Sequence, residues 1–109
     1  MTNYLFIESR DPFASLDTTF IEQTATALKK GGHEVTVFLV QNGVLASRRT
    51  LADSYLARLS EAGVHLLADD FSLRERGIAD IDLLAGVQPS NIETLVDALV
   101  HEKTKAIWH

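Results

Sequence analysis

The chain has 109 residues, with ten lysines and arginines against fifteen aspartates and glutamates, a formal charge of −5 at pH 7. That length predicts a single domain, residues 1–109, able to bury about 65% of its unfolded surface without staples. The acidic balance argues against nucleic acid, which needs a basic face, and against anionic membranes. The absence of cysteine excludes disulfides, thiolate metal ligation and every cysteine-based mechanism within the chain.

No apolar run approaches the ~20 residues that span a bilayer. The opening "MTNYLFIESRD" lacks a basic start and a small-residue cleavage site, so the expected compartment is the cytoplasm.

Apolar runs alternate with amphipathic stretches. "YLFI", Tyr4 to Ile7, reads as a first strand. Leu16, Phe20, Ala27 and Leu28 then follow helical spacing, with Ser15 or Thr19 as cap and Gly31-Gly32 as stop. "VTVFLV", Val35 to Val40, is a second strand. Thr50 with Asp53 signals another helix start, Leu51, Tyr55, Leu59 and Ala62 form its stripe, and Gly63 ends it. "VHLLA", Val64 to Ala68, is a third strand. Ser72 with Glu75 has capping-box spacing, and Gly77 suits the end of a short helix. "DIDLLAGV", Asp80 to Val87, is a weaker strand signal. Ser90 with Glu93 opens a last helix carrying Ile92, Leu95, Val96 and Leu99, and "KAIW", Lys105 to Trp108, is a final strand. Near-continuous apolar strands alternating with helices predict an α/β fold: a mostly parallel sheet of about five strands, with right-handed crossovers and helices on both faces.

Ligands of such sheets sit beyond the carboxyl ends of the strands. Three loops map there: "ESRDPF" from Glu8 to Phe13, "QNGVLASRR" from Gln41 to Arg49, and "DDFSLRERG" from Asp69 to Gly77. Within them the candidate binding residues are Asp69, Asp70, Asn42, Ser9, Arg10 and Arg76. Asp69 and Asp70 admit three readings. Two carboxylates contribute to a divalent-metal site through oxygen ligands. Neighbours on an extended segment point to opposite sides, which disfavours an acid–base pair. A solvated acidic loop leading into a helix is the plain structural reading. Arg74 and Arg76 read as solvated or ion-paired, with an anionic partner as the functional alternative. Asn42-Gly43 is a turn signal without phosphate-loop companions, so no nucleotide site is supported. His33, His65, His101 and His109 share no ligand-like spacing, so no metal site, cofactor or catalytic residue is expected. Trp108 reads as a packing anchor or part of a subunit contact.

The ordered set "YLFIESRDPF", "GGHEVTVFLVQNGVLA", "AGVHLLADDFSLRERGI" and "VDALVHEKTKAIW" resembles the DsrE/DsrF-like proteins, small subunits of bacterial and archaeal sulfur-relay systems. The resemblance implies a three-layer DsrE-like sandwich and an oligomer: members form dimers, trimers or hexamers of identical or different chains, and a trimer or hexamer is the expectation here. In sulfur-transferring members a cysteine ends the third strand, seven residues before the arginine of an Arg-Gly pair. That pair is Arg76-Gly77 here, so the cysteine's place falls on Asp69. A carboxylate cannot form a persulfide. The expectation is therefore a non-relay oligomeric subunit linked to sulfur metabolism, with a cysteine-bearing sister subunit or a sulfurtransferase as a further partner. The alternative is a small-ligand or metal-dependent enzyme or binder using Asp69 and Asp70, with Ser9, Arg10 or Asn42 across the strand edge.

Overall fold

A computed structural model describes residues 2–11, 18–48 and 54–109. The elements run β1 (Asn3–Glu8), α1 (Thr18–Lys30), β2 (Glu34–Leu39), a 3₁₀ segment (Gln41–Ser47), α2 (Tyr55–Glu61), β3 (His65–Asp69), α3 (Asp70–Glu75), β4 (Val87–Ser90), α4 (Ile92–Val100) and β5 (Thr104–Trp108). The five strands form one sheet in the order β4-β3-β2-β1-β5, and every pairing is parallel. The expected α/β architecture is present, with helices on both faces.

The sheet divides the core in two. On one face Phe6, Val37, Leu39, Leu66 and Ala68 pack with Ile21 and Ala25 of α1, Leu56 and Leu59 of α2, and Leu73 of α3. On the other, Leu5, Ile7, Phe38 and Val40 pack with Leu95 of α4 alone, joined by the partly buried Leu67 and Ala98. The alternation along β1 and β2 sorts these side chains, because successive residues of a strand point to opposite faces.

Several boundaries differ from the sequence expectation. Glu8 belongs to β1, opposite Leu39, and is fully buried rather than part of a loop. The segment Gln41–Ser47 is a 3₁₀ helix, not an open loop. The buried seam of α1 is Ile21, Ala25 and the half-buried Leu28, whereas Phe20 and Ala27 are exposed. Both stripes have helical spacing, and packing against the sheet buries the one through Ile21 and Ala25. Thr19 lies inside α1, while Ser15 and Leu16 fall outside the described residues. Leu51 and the Thr50–Asp53 start signal likewise fall outside them, and Ser54 caps α2 by accepting from the Ala57 N–H.

The strand expected over Asp80 to Val87 is displaced. Asp80–Asp82 makes a 3₁₀ turn, Gly86 takes φ +94°, and β4 uses Val87–Ser90 instead. Pro89 is tolerated because β4 is an edge strand paired only with β3. Ser90 ends β4, and Asn91 caps α4 through the Thr94 N–H. Among the described residues no helix is long and apolar enough to cross a membrane.

Gly43 is required by a close approach. A Cβ built there would sit 2.2 Å from the Glu8 carbonyl oxygen, so the 3₁₀ segment lies directly on the end of β1. Gly43→Ala forces backbone apart in a packed region and is expected to lose about 1–3 kcal/mol in urea unfolding. Gly31→Ala, whose Cβ would meet nothing closer than 3.4 Å, is the control; its unfolding midpoint is expected to stay far closer to that of the parent chain.

Candidate functional site

The carboxyl ends of β2 and β3 meet in one hydrogen-bonded cluster. Asp69 is the last residue of β3 and the N-cap of α3. Its Oδ2 accepts from the Ser72 N–H at 3.0 Å and from the Ser72 hydroxyl at 2.7 Å. The Ser72 hydroxyl in turn accepts from the Gln41 N–H at 2.9 Å. Gln41 has φ +49° and is the only non-glycine among the described residues in the left-handed region. A side chain there carries roughly 1–2 kcal/mol of strain, which the bond to Ser72 helps hold. Ser72 is therefore the buried centre of the cluster and not the cap of α3, as capping-box spacing had suggested. The local reason is register: β3 reaches Asp69, so the first carboxylate stands exactly one position before the helix.

Arg76 closes the same cluster. Its Nε and Nη2 donate to Asn42 Oδ1 at 3.2 and 3.0 Å, and its Nη1 donates to the Ser72 carbonyl at 3.3 Å. Gly77, at φ +68°, ends the helix just beyond it, as expected. Three of the six candidates, Asp69, Asn42 and Arg76, are thus brought together. Asp70 is not: it pairs with Arg74 at 3.7 Å, an exposed (i, i+4) pair, on the rim of an open cavity of about 420 Å³ that Asp80 and Ser90 also line. The adjacent carboxylates hold separate partners. Among the described residues no group of three or more His, Asp or Glu side chains is arranged to hold a metal ion.

Ser9 and Arg10 sit at the end of β1, two strands from β3 and so roughly 10 Å across the sheet. The Ser9 N–H and hydroxyl both donate to the His109 carbonyl, at 3.0 and 3.3 Å. The Arg10 N–H donates to Glu8 Oε1 at 2.9 Å. Glu8 Oε2 lies 2.7 Å from His109 Nδ1, and the imidazole packs against Phe20 with ring centroids 5.4 Å apart. This second cluster was not legible in the sequence. His109 is 101 residues from Glu8, and only the β1–β5 register joins them. A signal did exist for Glu8: it has the same parity as Phe6, whose face is buried.

Tyr55 lies close enough to be influenced by Glu8. Its hydroxyl is buried and has no hydrogen-bond partner among the described residues. Burial, and then the negative charge of Glu8, push its phenol well above the usual range. The neutral form is the one the folded chain accommodates.

Two expectations follow. Asp69→Ala removes the cap of α3 and is expected to cost about 0.5–2 kcal/mol in chemical denaturation, whereas Asp69→Asn, with an equivalent acceptor, retains most of the stability. The Tyr55 phenol ionises in the unfolded chain near pH 10 but not in the folded one. Stability is therefore unaffected by this group below about pH 10 and falls as pH rises further. Tyr55→Phe is expected to be neutral or slightly stabilising at pH 7 and to remove that group's share of the alkaline loss, read from denaturation midpoints across the alkaline range.

Comparison with known proteins places this geometry in a family. The model of the DsrE/DsrF-like family matches residues 2–105. The structure is similar to that of protein MTH1491 from Methanobacterium thermoautotrophicum, described as of unknown function, with a TM-score of 0.82, 22% identity and all of both chains covered. It is equally similar to the YchN protein of E. coli, with a TM-score of 0.82, 19% identity, 98% of this chain and 100% of that one. Comparison with curated proteins gives no match. With a parallel five-stranded sheet and a family model matching nearly its whole length, this chain belongs to the DsrE/DsrF-like family.

Proposed function

We propose that the protein is a non-relay member of its family: a cytoplasmic, oligomeric subunit linked to sulfur metabolism that binds partners and does not itself carry sulfur. The observation that supports this reading is the state of Asp69. It occupies the strand end where the resemblance places the relay cysteine, and its carboxylate caps α3 and holds Ser72. Relay requires a thiolate that attacks a sulfane sulfur and then bears it covalently. The chain has no cysteine, and a carboxylate at this position repels an incoming thiolate. The remaining role is assembly, with its own copies as a trimer or hexamer and with a cysteine-bearing sister chain or a sulfurtransferase as a further partner.

The position of Asp69 supports a direct test by substitution. The Ser72 N–H at the start of α3, which now donates to the Asp69 carboxylate, is a donor that favours negative charge at this strand end. After incubation with polysulfide and desalting, intact mass spectrometry is expected to show no added sulfur on the parent chain. Asp69→Cys is expected to gain one sulfur atom, removable by dithiothreitol, and to load faster than Asp80→Cys, a cysteine placed on an exposed turn. A sulfur adduct on the parent chain overturns the non-relay reading. Equal loading of the two variants shows that the Asp69 position is no longer shaped for sulfur.

A further inference from the structure

The two faces of the sheet are unequally covered. Helices α1, α2 and α3 pack on one, and α4 alone on the other. A helix that covers a sheet alone should be polar on its outer side. Instead α4 leaves Ile92 58%, Val96 48%, Leu99 42% and Val100 75% exposed, at a spacing that puts them on one flank. The opposite flank, with Asp97 and His101, borders an open cavity over the first residues of β1, β2 and β3, which Thr104 at the start of β5 also lines. The apolar flank therefore faces the β5 edge. There Trp108 is 64% exposed, and its register opposite Ile7 puts it on the same sheet face as α4. Trp108 is thus not an anchor of the chain's own core.

We propose that the apolar flank of α4 and the outer end of β5 form a two-fold interface with a second copy of this chain. The inference rests on the oligomeric reading above and names its surface. Charge selects the occupant. The patch has Glu93 at the start of α4 and Lys103 just beyond its end, both exposed. A two-fold axis across the middle of α4, near Val96, runs the two helices antiparallel. Each Glu93 then meets the other copy's Lys103, and each Trp108, at the carboxyl end of β5, turns toward the other copy's Val100. An apolar centre with an aromatic anchor and a self-complementary charged rim is what an isologous contact requires. A stable one buries about 800 Å² per partner.

The test is the mass of the full chain in solution by sedimentation equilibrium, with circular dichroism to confirm folding. The parent is expected to form a hexamer, the one of the two assemblies named above in which two-fold axes relate the chains. Val96→Glu is expected to weaken the two-fold contact at least about 30-fold and to halve the mass. Ile81→Glu, an exposed apolar position off the patch, is expected to leave the mass unchanged. Glu93→Lys and Lys103→Glu, both surface changes, are each expected to weaken association a few-fold, and the two together to restore it. A parent chain that is monomeric at every concentration overturns both this proposal and the oligomeric reading. An oligomer whose mass ignores Val96→Glu, including a trimer, whose chains no two-fold axis relates, overturns the interface and leaves the oligomeric reading intact. Failure of the charge reversal to restore association overturns the antiparallel arrangement.

Discussion

Five strands running in one direction oblige every connection to return across a face of the sheet. Right-handed crossovers then dictate which face. The chain steps from β1 to β4 always toward the same edge, so α1, α2 and α3 fall on one side. The single step back, from β4 to the far side of β1, carries α4 over the other. Most of what is distinctive about this protein descends from that asymmetry. It creates a thick core under three helices, a thin one under α4, and an apolar flank beside the β5 edge.

The same parallel arrangement gathers the carboxyl ends of β1, β2 and β3 along one rim. Two polar clusters form there with different physical characters. Around Asp69 the groups run from a buried serine to an exposed rim: the carboxylate caps a helix, the serine hydroxyl relays between Asp69 and Gln41, and Arg76 bridges to the exposed Asn42. Around Glu8 a fully buried carboxylate is held by the Arg10 N–H and the His109 imidazole, and the buried Tyr55 hydroxyl has no partner among the described residues. Removing one partner of such a hydrogen bond leaves a buried polar atom of the other unsatisfied, which costs more than the bond itself contributes. Glu8 and His109 therefore act first as a tether between the ends of β1 and β5.

The strands β1, β2 and β3 were legible because each is a short apolar run bounded by breakers, a pattern that depends on nearest neighbours only. Asp69, Asn42 and Arg76 were legible as a strand-end group for the same reason. Ser72 and Gln41 were not, because their roles arise from a contact across 31 residues. The fourth strand was misplaced because "DIDLL" has the composition of a strand, yet its pairing stops at an isolated antiparallel bridge between Leu83 and Arg48. Hydrogen bonding to β3 begins only at Val87, opposite Leu66. The buried seam of α1 was ambiguous in the same sense: two helical stripes overlap, and packing against the sheet decides between them.

By itself, the sequence determined the order of elements, the parallel class of the sheet, the rim on which the polar strand-end loops collect, and the exclusion of thiol chemistry. These follow from local periodicity and from residue types, which need no knowledge of distant partners. Only the tertiary structure decided that Glu8 is buried against His109, that Asp69 and Asp70 part company, and that Trp108 and one flank of α4 stay uncovered. Each of those depends on which strand lies beside which. That order is a property of the whole sheet, and no window of neighbouring residues contains it.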